Sequence, residues 1–304
     1  MVPLILTITL NPALDKLVAV PALRAGEANR VELLSTQPAG KGVDVAKVLR
    51  DMEAPVCATG FLGGAVASVF NDFLFREGIE NAFVPIAGST RTNLQIFGGD
   101  GARTELLEQG PSVTSDEWDA LLDVLDSRLP RCEAAALCGS APGGVSPAMA
   151  QSLLRRMKDA GCDFYVMEVS AHALDLRKLV GMKFDQGIFT NFSQDHLDYF
   201  GTMETYRRAK EKFFDPFYIG HAVVNADDEA GKYMLGRVPT TTYGVSVPAD
   251  AYANEIEILE SGVSYRLHWK DVVLPLHLHI SGIFNVYNSM AAAVACLEMG
   301  ISPE

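Results

Sequence analysis

Apolar runs of strand length alternate along the chain with segments in which apolar residues recur every three or four positions. The run LILTITL predicts a buried first strand, and GVDVAKVLRDM predicts a helix after a glycine-rich turn. SPAMAQSLLRRMKDAG predicts a later helix, with proline in its first turn and glycine at its end. This alternation predicts an α/β fold with a doubly wound, mostly parallel sheet. We expect this sheet to be continuous and to contain about eight strands.

Four further stretches complete the pattern. Residues 15–37 and 90–106 predict extra strands beside the first half of the chain. Residues 251–280 alternate polar and apolar side chains with a glycine at a turn, which predicts an antiparallel meander. DEAGKYML, residues 228–235, predicts a short helix between two strands.

Ligands of doubly wound sheets bind beyond the carboxyl ends of the parallel strands. Candidate functional residues are therefore sought directly after each predicted strand. These positions are 11–15, 60–64, 139–144, Glu168, 190–196 and 225–229.

Composition and charge limit the classes of partner. A net charge of −13 argues against nucleic-acid and anionic-membrane surfaces, which need a cationic face. The five cysteines are scattered without C-x-x-C spacing, so we expect free thiols in a reducing, cytoplasmic compartment. No apolar run approaches the roughly 18 residues of a membrane span, and the N-terminus is interpreted as a strand instead of a signal peptide. A length of 304 residues allows one large or two medium domains.

Two motifs in the first half of the chain carry candidate binding chemistry. In TLNPALDK, the Asp15 carboxylate suits a pair of sugar hydroxyls, and stabilising the turn explains it equally well. PAGKGVDVAKVL is a glycine-rich turn that opens a helix, whose free amides can hold an anion. The G-K-G stretch is not a Walker A loop, because G-x-x-x-x-G-K-[ST] occurs nowhere in the chain.

The order and spacing of TLNPALDK, AGKGVDVAKVLR, ATGFLGG, STRTNLQI, TELLEQGP and CGSAPGGV resemble the 1-phosphofructokinase branch of the ribokinase-like sugar kinases, over residues 3–160. The resemblance implies that residues 15–37 and 90–106 form a small β-lid. It also implies a sugar-phosphate site with Ser140 near it and these residues facing the ligand: Asp15, Gly40, Lys41, Asp44 and Arg91. Two departures are Ala39, where this family usually has glycine, and Asp44, where it usually has asparagine. A carboxylate at position 44 should weaken binding of an anionic sugar phosphate.

Taken singly, Glu168, His196 and Lys210 are more often explained by solvation, capping or an extended surface side chain. Their surroundings YVMEVSAHAL, GIFTNFSQDHLDYF, TYRRAKEKFF, VVNADDEAGK and SGIFNVYNSMAAA resemble the central domain of the Mur ligases, nearest to the MurE branch, over residues 162–304. This branch adds the third residue of the peptidoglycan peptide.

This second resemblance implies a magnesium and nucleotide site. Glu168 and His196 would be Mg²⁺ ligands, and Lys210 would carry a CO₂-derived carbamate that supplies the oxygen ligands Mg²⁺ prefers. Two asparagines, Asn285 and Asn288, would contact the adenine side of ATP. His172 and Lys178 would lie near the muramoyl peptide. Ala171 and Lys178 depart from the serine and arginine that are usual in this family.

The two resemblances change over near residue 160, which predicts a kinase-like half, 1–160, and a ligase-like half, 161–304. The kinase's usual G-A-G-D base and the ligase's Walker A loop are both absent from the sequence. Three hypotheses follow: a chimeric scaffold without full catalysis of either reaction, an ATP- and Mg²⁺-dependent enzyme with a new site, or a non-catalytic nucleotide or sugar-phosphate binder. ATP binding should be weak or absent, and any partner should be a small molecule. The sequence leaves the oligomeric state open.

Overall fold

A computed structural model describes residues 4–179, 181–195 and 197–303. The chain divides into two compact units, Met1–Glu168 and Val169–Glu304. The change of family resemblance near residue 160 therefore falls inside the first unit, so that unit contains the first residues of the ligase-like sequence. Within the described residues, no helix combines the length and the apolar character that crossing a membrane demands.

The first unit is an α/β unit. Its described elements in chain order are β1 (Leu4–Thr9), β2 (Ala13–Val20), β3 (Glu32–Ala39), α1 (Lys41–Asp51), β4 (Val56–Gly63), α2 (Val66–Glu77), β5 (Glu80–Asn81), β6 (Val84–Ile86), β7 (Arg91–Gly98), β8 (Arg103–Leu107), α3 (Ser115–Arg128), β9 (Cys132–Cys138), α4 (Pro147–Asp159) and β10 (Phe164–Met167).

The first unit contains two sheets. The main sheet has the order β10-β9-β1-β4-β5, with β6 also on β4, and its ladders are parallel. The smaller sheet has the order β3-β2-β7-β8 and contains the extra strands predicted from residues 15–37 and 90–106. In the smaller sheet, β2 runs parallel to β7 and antiparallel to β3. This register places Asp15 opposite Asn93.

Sequence signals account for the helix ends of the first unit. Thr114 caps α3 with a reciprocal capping box to Glu117, which satisfies free amides of the first turn. Gly78 ends α2 in the left-handed conformation, with a φ of 68°, that favours glycine. Helix α4 begins after the Ser146 cap and buries Leu153 and Met157. The helix predicted at the change of family is therefore confirmed.

The second unit combines a mixed sheet with short helices. Its described elements are α5 (Ala171–Asp175), β11 (Phe184–Phe189), α6 (Leu197–Phe200), α7 (Met203–Glu211), β12 (Ile219–Asn225), β13 (Thr240–Gly244), β14 (Ala251–Leu259), β15 (Gly262–Trp269), β16 (Val272–Leu278) and α8 (Ile283–Glu298). Strands β11 to β14 are parallel neighbours, and β14 to β16 form the predicted antiparallel meander. Helix α8 covers this sheet with Val286, Met290 and Val294.

Two expectations about the fold are wrong. The described parallel strands belong to two hydrogen-bonded sheets, with β10 at an edge of the first and β11 at an edge of the second, so one continuous sheet is not formed. Parallel strands normally need a crossover of a dozen or more residues, usually a helix. The helix between β10 and β11, α5, has only five residues, which leaves little helical surface to pack a crossover on a sheet.

The segment predicted as a helix at 228–235 contains only a 3₁₀ turn at Gly231–Tyr233. The Asp228 carboxylate accepts a hydrogen bond from the Ala230 amide at 2.8 Å, which competes with helix formation. The Gly231 backbone also lies so close to the Asn225 carbonyl that a side chain there would collide with it. Local hydrogen bonding and close packing therefore override the helical pattern.

Candidate functional site

A polar network around Asp15 lies between β2 and β7 of the first unit. Asn93 Nδ2 donates to Asp15 Oδ1 at 2.8 Å, and Gln95 Nε2 donates to Asp15 Oδ2 at 3.3 Å. Gln95 is fixed in turn by Arg103, whose Nη2 donates to Gln95 Oε1 at 3.0 Å. A carboxylate has about four acceptor positions, so Asp15 keeps capacity for ligand hydroxyls. Sequence reasoning identified Asp15 but missed both amides, although STRTNLQI contains them.

Arg91 joins this region to the end of β1. Its Nη2 donates to the Asn11 carbonyl at 3.1 Å. Burial lowers the pKa of the Arg91 guanidinium, and the charge of Asp15 acts in the opposite direction. The Asn11 side chain donates to Ser140 Oγ at 3.4 Å, which brings Ser140 to the same strand end.

Several buried polar atoms in this region have no hydrogen-bond partner among the described residues. They are Thr7 Oγ1, Thr9 Oγ1, Asn11 Oδ1, Arg91 Nε and Asn93 Oδ1. Buried polar groups are almost always satisfied by protein, water or ligand, and leaving one unpaired costs about 1–3 kcal/mol. These atoms could accept or donate the missing bonds to water or to a ligand.

The glycines of the G-K-G turn allow α1 to approach β1 closely. Gly40 has a φ of 130°, and a Cβ at that position would lie 2.8 Å from Thr9 Cγ2. A Cβ on Gly42 would collide with Thr9 Oγ1. Packing therefore explains the glycines. Asp44 is exposed on α1 and pairs with Lys47 at 3.1 Å, so a neighbouring cation partly offsets its charge.

Lys41 and Glu168 come together, although the two resemblances assigned them to different sites. The Lys41 ammonium forms an ion pair with Glu168 Oε1. Glu168 Oε2 accepts a hydrogen bond from the Gly139 amide at 3.3 Å. Strand β10, which leads to Glu168, pairs with β9 and is only half-buried, with Val166 exposed.

The described residues include two of the three proposed magnesium ligands, Glu168 and Lys210. His196 lies outside these residues, and the described part contains no group of three or more His, Cys, Asp or Glu side chains that could hold a metal. Glu168 faces an ammonium and an amide proton, which are donors to its oxygens and leave a poor environment for a divalent cation. The Lys210 amine lies 5.3 Å from the centre of the Tyr206 ring. Convergence of Glu168, His196 and Lys210 stays a prediction.

The other ligase-like candidates occupy separate positions in the second unit. His172 packs its ring against Tyr199 and Phe200, with centroid distances of 4.3 and 5.2 Å. Asn285 donates to the Ser281 carbonyl at 2.7 Å, and Asn288 is exposed on α8. Lys178 is half-buried after α5. Their assignments to peptide and adenine stay predictions.

Sequence reasoning included Asp227, which follows β12, among the positions to inspect but assigned it no role. Its carboxylate accepts hydrogen bonds from the amides of residues 245, 246 and 247 at 2.6, 2.9 and 2.8 Å, and from Tyr287 Oη at 2.7 Å. Burial alone would raise the pKa of Asp227, but these hydrogen bonds outweigh it and hold the pKa below its ordinary value. The network joins the loop after β13 to α8. The signal in the sequence that points to Asp227 is its position directly after a predicted strand.

A basic cavity of about 410 Å³ in the second unit was also not predicted; it is lined by Arg207, Arg208, Glu211, Lys212, Tyr233 and Arg237. Each of its cations already pairs with a carboxylate, supplied by Glu204, Glu211 or Asp175. Arg207 also stacks over the Tyr233 ring, with its guanidinium carbon 3.6 Å from the centroid. We interpret the cluster as an ion network that fixes α7.

Two family models match the chain. The pfkB family carbohydrate kinase matches residues 5–183, and the Mur ligase middle domain matches residues 145–296. The matches overlap at residues 145–183, which include α4 and β10.

Curated relatives support the ligase match. The chain is 40% identical over 161 residues to the UDP-N-acetylmuramoyl-L-alanyl-D-glutamate–2,6-diaminopimelate ligase of Parabacteroides distasonis, covering 52% of this chain and 32% of that protein. It is 33% identical over 275 residues to the ligase of the same name from Synechococcus elongatus, covering 89% of this chain and 51% of that protein. The chain thus spans between about a third and a half of these relatives.

Solved structures with the same fold include sugar kinases. A possible 1-phosphofructokinase from Thermotoga maritima matches with a TM-score of 0.56 and 21% identity, covering 89% of this chain and 76% of that one. Phosphofructokinase-2 from Escherichia coli in complex with fructose-6-phosphate matches with a TM-score of 0.58 and 16% identity, covering 99% of this chain and 89% of that one. Because the sequence identities are only 21% and 16%, these structural matches show the fold alone.

Proposed function

Because the chain belongs to the pfkB carbohydrate kinase family over residues 5–183 and to the Mur ligase middle-domain family over residues 145–296, we propose that it is a fusion of two half-sites that catalyses neither parent reaction. The observation that carries this proposal is the meeting of the two families inside α4 and β10. The ligase match begins at residue 145 and the carbohydrate-kinase match ends at residue 183, so the change from one family to the other lies within this overlap. The fusion therefore separates each family's retained ligand residues from its phosphate-handling elements.

The kinase-like half retains its sugar side. Asp15, Arg91 and Lys41 are present, but no G-A-G-D motif occurs in the chain. Loss of a general base typically costs about 10²–10⁴-fold in rate. The segment after residue 183 matches the ligase family instead, so the kinase's nucleotide-binding half is replaced.

The ligase-like half lacks a phosphate cradle in this sequence. G-x-x-x-x-G-K-[ST] is absent, and Lys41 cannot replace its lysine because no serine or threonine follows it to meet a metal. Positioning of reactants can contribute about 7–11 kcal/mol to catalysis. A phosphate-binding loop contributes to this positioning by holding the nucleotide. Both families generally depend on ATP and Mg²⁺, but no step of the proposed function uses either one.

A second candidate function is binding of a sugar or sugar phosphate by the first unit. The Asp15–Asn93–Gln95 network, together with the buried polar atoms that have no protein partner, favours this function. The geometry suits vicinal hydroxyls, because a carboxylate accepts from two hydroxyls while flanking amides hold it in place. The proposed ligand is therefore a small molecule. The free cysteines support the proposed cytoplasmic location.

We expect no ADP release above background from ATP and Mg²⁺ with fructose 1-phosphate. The same result is expected with the UDP-muramoyl dipeptide and diaminopimelate. Coupled ADP detection at high protein concentration measures both reactions. Turnover that Asp15→Ala removes in the first assay, or that Glu168→Ala removes in the second, would contradict the proposal and identify an ATP-dependent enzyme. Binding of the sugar without turnover would support the second candidate.

A further inference from the structure

The ion pair between Lys41 and Glu168 joins two residues that are 127 positions apart in the sequence. Lys41 is the first residue of α1, and Glu168 directly follows β10. The Gly139 amide holds the second carboxylate oxygen, and a Cβ on Gly139 would lie 4.0 Å from Lys41 Cβ. The carboxylate is therefore held between the start of α1 and the end of β9.

The charge environment of Cys138 agrees with this placement. Burial is the main cause that raises the pKa of the Cys138 thiol, while Glu168 raises it further and Lys41 lowers it. Both charges thus act on the same strand end. Their opposite signs leave little net positive charge for an incoming anion.

We propose that Glu168 is a specificity-determining residue that neutralises Lys41, so that the first unit favours a neutral sugar over its phosphate ester. This inference rests on the proposed sugar-binding function. A phosphate group that approaches Lys41 must displace the Glu168 carboxylate and then remain close to its negative charge. A neutral sugar that uses the Asp15 network meets neither obstacle.

The same contact disfavours Glu168 as a magnesium ligand. An ammonium ion and an amide proton already occupy its oxygens, and a divalent cation would have to displace both. Under this proposal, the residue that the ligase resemblance assigns to a metal is the counter-ion of a lysine from the kinase-like sequence.

Inorganic phosphate tests the inference, because it reports on the cationic position without using the hydroxyl-binding Asp15 network. Isothermal titration would compare the full-length protein with Glu168→Gln, Lys41→Met and the double variant. Glu77→Gln is the matched control, since it removes one exposed carboxylate from the same unit. The Lys41 and Glu168 side chains are 64% and 41% exposed, so solvent screens the pair and the effect is moderate.

We expect Glu168→Gln to bind phosphate about fivefold or more tightly than the natural chain, while Glu77→Gln changes affinity by less than about twofold. In the Lys41→Met background the Glu168 substitution should have no further effect, because its target is gone. Unchanged phosphate affinity in Glu168→Gln, absence of measurable binding by that variant, or an equal gain in Glu77→Gln would overturn the inference.

Fructose and fructose 1-phosphate separate this inference from the sugar-binding proposal. If no variant binds either sugar but Glu168→Gln still gains phosphate affinity through Lys41, the counter-ion role stands and the sugar site fails. If fructose binds and Glu168→Gln leaves the preference between the two sugars unchanged, the sugar site stands and the specificity role fails.

Discussion

Replacing Asp15 with alanine is expected to weaken fructose binding by about 100-fold. The carboxylate is the proposed acceptor for two ligand hydroxyls, and hydrogen bonds to charged groups contribute about 1.5–3 kcal/mol each. Its loss also leaves the Asn93 and Gln95 amides without their acceptor. Water can hydrate these amides in the variant, so we do not expect them to replace the lost carboxylate in binding the ligand. Isothermal titration with fructose gives the affinity directly.

The matched control for this experiment is Asp72→Ala, which removes an exposed carboxylate from α2. We expect its fructose affinity to stay within about twofold of the natural chain, as for most surface substitutions. Thermal unfolding of both variants separates lost binding from lost folding. Equal fructose affinity in Asp15→Ala and the natural chain would exclude the proposed hydroxyl site.

Replacing Asp227 with asparagine is expected to destabilise the second unit by about 2–4 kcal/mol. Asparagine has nearly the same shape, but its amide nitrogen would face donors that now bind a carboxylate oxygen. Urea denaturation measures the free energy of unfolding. Hydrogen exchange of the amides at 245–247 reports the lost bonds locally. Asp185→Asn, on the exposed side of β11, is the control and should leave both measurements unchanged.

The same carboxylate predicts a pH dependence. Because folding holds the pKa of Asp227 below its ordinary value of about 3.9, its contribution is present above that value and is lost as the pH falls through the lower folded pKa. Asp227→Asn should therefore show a flatter loss of stability between about pH 5 and pH 2 than the natural chain. Parallel acid-unfolding curves for the two proteins would contradict this assignment.

Local signals in the sequence accounted for much of the fold. The alternating meander depends on neighbouring residues, so it could be predicted from a short window, and the Thr114 capping box and the left-handed Gly78 carry equally local signals. The helix expected at 228–235 failed because Asp228 and Gly231 form contacts that the apolar period does not encode.

Long-range contacts of the candidate sites could not be predicted. The sequence placed Lys41 in a glycine-rich turn that opens a helix and Glu168 at a strand end, but only folding brings their charges together. Asp227 was likewise among the positions to inspect, whereas its amide partners lie 18–20 residues further along the chain. Strand-end rules identified the carboxylates, while their partners depended on how the loops pack.

The parallel pairing of β10 with β9 also has a consequence for how such a chain can arise. The ladder joins Phe164 to Met167 with Ala134 to Leu137 through main-chain hydrogen bonds, which do not depend on side-chain identity. A half-buried edge strand also makes few demands on shape complementarity. Genetic recombination at this strand therefore needs matching topology more than matching sequence. The same position offers protein engineers a crossover point for exchanging halves between unrelated α/β enzymes.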